Sequence, residues 1–110
     1  PLVPLGTRMD EALIVMTKKG LGCLGVQTPK GKLAGVISDG DLRRHMSSEL
    51  LTQVVEDIMT PTPVTIPANV VSGEALQIMN DRKIQCLFVC ENDTPVGLVR
   101  ILDLLQIGVA

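Results

Sequence analysis

Aromatic side chains are almost absent from this sequence of 110 residues: it has no Trp, no Tyr and a single Phe88. Without them there is no platform for stacking single-stranded bases, no cage for a quaternary ammonium and no belt for a membrane interface. Cysteine is scarce too, with three residues, Cys23, Cys86 and Cys90. An odd count argues against a disulfide scaffold. No Cys-x-x-Cys occurs and His45 is the one histidine, so a closed zinc site lacks ligands and no metal is expected. The thiols read as small core residues in a reducing cytoplasm.

Excess charge is missing as well. Ten Lys and Arg face twelve Asp and Glu, a net charge of -2. A duplex-binding domain carries a basic excess, so nucleic acid is not an expected partner. The basic pairs Lys18-Lys19, Arg43-Arg44 and Arg82-Lys83 read as solvated helix faces or ends. No apolar run approaches the roughly 18 residues of a membrane span. Pro1-Leu2-Val3-Pro4 has no basic region followed by a long apolar stretch, so no signal peptide and no membrane partner are expected. The absence of an initiating Met points to a piece of a longer protein.

What is present is a hydrophobic fraction of 45%, enough for an aliphatic core in a chain that buries roughly 60–70% of its unfolded surface. The pattern is a repeat. At an offset of 63, identities fall at Pro4/Pro67, Glu11/Glu74, Ala12/Ala75, Leu13/Leu76, Met16/Met79, Cys23/Cys86, Leu24/Leu87 and Val26/Val89. At an offset of 62 they continue at Gly35/Gly97, Asp41/Asp103 and Leu42/Leu104. The gap falls between Thr28-Pro29-Lys30-Gly31-Lys32 and Asn92-Asp93-Thr94-Pro95, where a hairpin tip tolerates a deletion.

Each copy predicts β-α-β-β-α, a mixed α/β fold. Extended stretches at 2–5 and 64–66 come first. A helix follows, with Thr7 as N-cap ahead of Asp10 in copy one and Asn69 as cap in copy two. Met9, Ala12, Leu13 and Met16 form an i, i+3, i+4, i+7 stripe, which reads as core. Ser72 stands in for the first Met in copy two, and Gly20 fits a helix stop. Strands at 24–26 and 34–37, and at 87–89 and 96–99, each precede a helix beginning near Asp39 or Leu102. The expected organisation is copy one at 1–48, a connecting segment at 49–63 and copy two at 64–110. Residues 49–59 have a helical pattern that stops at Thr60-Pro61-Thr62-Pro63. Two copies packed about a pseudo-twofold axis would bury both small sheets.

Ser38-Asp39-Gly40-Asp41 has the form of a capping box, in which hydroxyl and acid exchange hydrogen bonds with backbone amides. The same geometry suits a ligand: helix-start amides favour anions, and a carboxylate accepts from sugar hydroxyls. Copy two keeps Asp103 but has Arg100 at the hydroxyl position. Arg is a bidentate phosphate donor, so Arg100 is a candidate contact. There is no triad and no metal cluster in the pattern, so catalysis by this chain is not expected.

The doubled unit resembles a tandem CBS-domain pair (a Bateman module). The residues that carry the likeness are Gly35-Val36-Ile37-Ser38-Asp39-Gly40-Asp41-Leu42, Gly97-Leu98-Val99-Arg100-Ile101-Leu102-Asp103-Leu104, and the connecting Val55-Glu56-Asp57-Ile58-Met59-Thr60-Pro61. Ser38-Asp39-Gly40-Asp41-Leu42-Arg43-Arg44 and the ending Asp103-Leu104-Leu105-Gln106-Ile107-Gly108-Val109-Ala110 are similar to the CBS pair of bacterial arabinose-5-phosphate isomerases. In that family the pair follows a sugar-isomerase (SIS) domain, and the enzyme serves synthesis of the lipopolysaccharide sugar Kdo. The resemblance implies a regulatory module with no required cofactor. Its ligand would be an adenosine nucleotide (AMP, ADP or ATP) or a cytidine-nucleotide sugar such as CMP-Kdo, held in the inter-repeat cleft. Ser38, Asp41, Arg100 and Asp103 would hold ribose or phosphate. Val3, Pro4, Gly22, Cys23, Met59, Thr60 and Pro61 would surround the base. Arg43, Arg44 and His45 are further phosphate candidates. The partners implied are the SIS domain and, through CBS helices, further copies of the chain. The alternatives are a ligand-free dimerisation module, with Val54-Val55-Ile58 and Leu104-Leu105-Ile107 reading equally as its face or as internal core, or the CBS pair of another parent such as a transporter or a dehydrogenase.

Overall fold

The computed structural model describes residues 1–19, 22–70 and 72–106, apart from the side chains of Lys19, Ser72, Leu105 and Gln106. The chain divides into two compact units, Pro1–Pro63 and Val64–Ala110.

Unit one contains β1 (Leu2–Pro4), α1 (Met9–Lys19), β2 (Cys23–Gln27), β3 (Leu33–Ser38) and α2 (Asp39–Arg44). A 3-10 turn at Leu50–Thr52, α3 (Val55–Ile58) and β4 (Thr60–Pro61) follow. The sheet order is β1-β2-β3-β4: β1 runs parallel to β2, and the other neighbours are antiparallel. The stripe on α1 packs onto this sheet, with Met9, Ala12 and Met16 buried beside Leu24, Val26 and Ile37. This burial is the main stabilising contribution in a unit without aromatic residues, at about 25 cal/mol per Å² of apolar surface.

The segment 49–63 belongs to this core. It is not one helix as its pattern predicts. The chain straightens at Gln53 and Val54, because their backbone is used elsewhere: the Gln53 carbonyl accepts from Met9 N–H (2.8 Å), and Val55 N–H donates to the Thr7 carbonyl (2.9 Å). Glu56 also accepts from Gly6 N–H at 2.7 Å. Leu50, Val55 and Ile58 are buried in the same cluster as Met9. Of the two readings of these segments, Val55 and Ile58, with Leu104 of the second unit, follow the internal-core one, and Val54 is half-buried. Leu105's side chain and Ile107 lie outside the described residues.

Unit two has β5 (Thr65–Ile66), α4 (Ser72–Arg82), β6 (Cys86–Glu91), β7 (Thr94–Arg100) and α5 (Ile101–Gln106), with sheet order β5-β6-β7. Ala75, Met79, Leu87 and Leu104 form its core with Ile66. The repeat identities Ala12/Ala75, Met16/Met79 and Leu24/Leu87 are buried in both copies. The second hairpin is tighter than the sequence predicts: Asn92 and Asp93 alone form the turn, both at positive φ (51° and 66°), the backbone a two-residue hairpin needs.

Two caps differ from expectation. The Thr7 hydroxyl donates to the Pro4 carbonyl at 2.7 Å instead of capping α1. Asn69 lies in a turn three residues ahead of Ser72, where α4 starts. The Gly20 stop lies outside the described residues. Of the cysteines only Cys23 is buried, while Cys86 and Cys90 are half-buried.

Gly35 is where β4 reaches β3, pairing with Pro61. A Cβ there would lie 2.5 Å from Met59 Sδ and 2.9 Å from the Thr60 carbonyl oxygen. The sulfur can move, but the carbonyl is fixed by the strand. At Gly97 the nearest atom is Val89 Cβ at 3.8 Å, an ordinary contact. Gly35→Ala is therefore expected to cost about 1–3 kcal/mol by overpacking, and Gly97→Ala to stay within about 0.5 kcal/mol of wild type. Urea midpoints of the two variants check this; equal losses would contradict the close packing at Gly35.

Candidate functional site

The antiparallel register places Ser38 opposite Cys23, and Thr60 opposite Val36. The start of β2, the end of β3 and the start of β4 therefore share one end of the sheet, and α2 begins there. Ser38 is the N-cap, extended at φ -118° and ψ 173°, and the capping box is complete. Asp41 N–H donates to the Ser38 hydroxyl (3.4 Å), and Asp41 Oδ2 accepts from Ser38 N–H (2.9 Å) and from the Ser38 hydroxyl (3.1 Å).

Asp41 does more than cap. It is only 4% exposed, the one polar or charged residue in the core among those described. Its Oδ1 accepts from Thr60 Oγ1 at 2.7 Å and from the Arg44 guanidinium at 2.6 Å. Thr60 lies 19 residues further along the chain, so the carboxylate fastens β4 to the start of α2. Nothing in the sequence announced this bond; Thr60 was singled out by the family resemblance alone. Burial pushes the Asp41 carboxyl up. The hydrogen bonds from Thr60, Ser38 N–H, Arg44 and the Ser38 hydroxyl outweigh that and hold it below the ordinary carboxylate range.

Gly22 is exposed at φ 72°, a conformation that favours glycine, and the place of a Cβ there is 3.6 Å from Asp39 Oδ2. Cys23 is buried next to it, Met59 is half-buried across Gly35, and Pro61 is exposed. Val3 and Pro4 are not at this end. They pair with Val26 and Gln27, three and four residues along β2 from Cys23, or roughly 10 Å and more at about 3.3 Å per residue. Val3 faces the core. Arg43 and His45 are exposed at the end of α2, and the His45 N–H donates to the Asp41 carbonyl at 3.1 Å. The anion seat expected at the start of α2 is weakened by its own residues: the helix has six residues, and Asp39 and Asp41 put negative charge in its first turn. This end of the sheet is better suited to hydroxyl donors than to phosphate.

In unit two Arg100 and Asp103 engage each other. The guanidinium forks onto the carboxylate, Nε to Oδ2 at 3.2 Å and Nη2 to Oδ1 at 2.8 Å. The pair is half-exposed. Arg100's hydrogen bond holds Asp103 below the ordinary range, with slight burial opposing and the Arg100 N–H and charge adding. Burial and the nearby Asp93 charge push the Cys90 thiol up, against a bond with Thr65, which is the opposite of what a nucleophile needs. Among the described residues no group of three or more His, Cys, Asp or Glu could hold a metal ion, and no helix is long and apolar enough to cross a membrane.

Asp41→Asn leaves the shape but removes the charge, and is expected to lower stability at pH 7 by about 1–3 kcal/mol. The sign with pH follows from the lowered pKa. The stabilisation is complete above the unfolded value near 3.9 and is lost as pH falls through it towards the folded one. Urea midpoints of wild type and Asp41→Asn should converge from pH 7 to pH 3; a gap independent of pH would contradict the assignment.

The profile of the family described as CBS domain matches residues 1–48 and 55–109. Arabinose 5-phosphate isomerase KdsD of Pseudomonas aeruginosa is 45% identical over 112 residues, covering 99% of this chain and 34% of the relative. The chain thus spans about a third of the length of the curated relatives it matches. Among solved structures, CBSX2 in complex with AMP superposes with TM-score 0.83 at 24% identity, covering 97% of this chain and 85% of that one. The cytosolic domain of the Mg2+ channel MgtE in complex with ATP gives TM-score 0.79 at 26% identity, covering 96% of this chain and 44% of that one.

Proposed function

The chain belongs to the CBS-domain family, and we propose that it is a regulatory nucleotide-binding module whose ligand seat lies in unit one around Ser38, Asp41 and Thr60. The observation that carries this reading is the Asp41 carboxylate, buried yet reached by two side chains, Arg44 and Thr60, that can exchange for ligand donors. Ribose hydroxyls are such donors. The base would rest against Gly22, Cys23, Met59 and Pro61, read by backbone and aliphatic walls, since unit one contains no Phe, Tyr or Trp. Arg43 and His45, exposed at the end of α2, are the further side chains that would meet a phosphate.

The AMP held by CBSX2 and the ATP held by the MgtE cytosolic domain support a nucleotide as the ligand class. The likeness to KdsD supports an arabinose-5-phosphate isomerase as parent, with an SIS domain performing the aldose–ketose chemistry. In such a parent, serving Kdo and lipopolysaccharide synthesis, a cytidine-nucleotide sugar such as CMP-Kdo is the feedback ligand. An adenosine nucleotide is the general expectation for the family. Regulation follows if the ligand prefers one of two states of the parent. Association of copies through this module would have to use residues other than Val55, Ile58 and Leu104, which are buried.

Thermal denaturation of this chain with AMP, ADP, ATP, CMP and CMP-Kdo tests the reading. A ligand at 100 times its Kd should add about 2.7 kcal/mol of stability, and Ser38→Ala should reduce the gain. Absence of any shift with all five would defeat the nucleotide reading.

A further inference from the structure

A carboxylate offers about four lone-pair sites, and in Asp41 all four are taken within the chain. The two oxygens are not equivalent. Oδ2 is held by the N–H and hydroxyl of Ser38, and neither can leave without undoing the first turn of α2. Oδ1 is held by Thr60 Oγ1 and by Arg44 Nη2. The Arg44 side chain is 64% exposed and the Asp41 side chain 5%, so one end of this ion pair is buried and the other lies in water. A ligand hydroxyl reaching Asp41 must therefore take a place already occupied, and Arg44 can leave without breaking the link between β4 and α2 that Thr60 makes.

We propose that Arg44 is a built-in competitor for the ligand, its guanidinium occupying on Asp41 Oδ1 the position that a ribose hydroxyl takes when the nucleotide binds. This rests on the reading of Ser38 and Asp41 as the ribose seat. It assigns Arg44 a role opposite to that of a phosphate donor. As a phosphate contact Arg44 strengthens binding and its removal weakens it. As a competitor it weakens binding, and its removal opens Oδ1. A neutral nucleoside isolates the effect, having the diol but no phosphate.

Isothermal titration of adenosine, cytidine, AMP and CMP into wild type and Arg44→Met tests this. The methionine keeps the apolar stem and removes the donors. The expected result is a gain in affinity of about three- to tenfold for the variant, largest for the nucleosides. Arg44→Gln, read in the same titrations, should gain by a similar factor, so the test does not hang on one variant folding. Binding that is unchanged or weaker in both Arg44→Met and Arg44→Gln overturns the competitor while leaving the ribose seat standing. No binding of any of the four probes to either protein overturns the seat and the competitor together.

Discussion

Unit one is organised around a charge that has been taken out of water. An ionised carboxylate in the protein interior costs several kcal/mol unless hydrogen bonds replace its hydration, and Asp41 is 4% exposed. The donors around it are therefore obligatory, and they come from three places: the end of β3, the last turn of α2 and the start of β4. Satisfying one side chain fixes the direction in which α2 leaves the sheet and the point at which the connecting segment meets it. The absence of a side chain at Gly35 follows from the same constraint, because β4 can approach β3 closely enough for Thr60 to reach Asp41 only if nothing projects there.

The two copies have diverged in how they solve this problem. Copy one buries its acid and recruits a hydroxyl residue from a distant strand. Copy two keeps the acid at the corresponding place and gives it an arginine neighbour instead, in a half-exposed fork that is satisfied locally. With Arg100 on both carboxylate oxygens, Asp103 needs no distant partner. Gly97 correspondingly has only an ordinary contact with Val89 where Gly35 has Met59 and Thr60 pressed close. A buried acid with exchangeable partners is suited to ligand exchange; a closed arginine–aspartate fork is suited to capping a helix. The ligand seat proposed above accordingly lies in copy one.

Much of this fold was legible because the repeat and the periodicity both report burial. Ala12, Met16 and Leu24, with Ala75, Met79 and Leu87, match between copies and are all buried. The capping box at Ser38 was legible for a related reason: it is made by residues three apart, within reach of local pattern. What escaped were choices settled by distant partners. The helical pattern of 49–59 is interrupted at Gln53 and Val54 because Met9 and Thr7 claim the backbone there. Thr7 fails as a cap because its hydroxyl, able to donate as well as accept, is drawn to the Pro4 carbonyl. The bond from Thr60 to Asp41 crosses 19 residues and leaves no periodic trace.

The central claim is that Asp41 and Thr60 act as one unit joining the connecting segment to the start of α2. A double-mutant cycle with Asp41→Asn and Thr60→Val, followed by urea denaturation at pH 7, measures that coupling directly. The account predicts an interaction energy of about 1 kcal/mol or more, within the range for residues that share a hydrogen bond. Losses that add to within about 0.3 kcal/mol, as for independent sites, would contradict it.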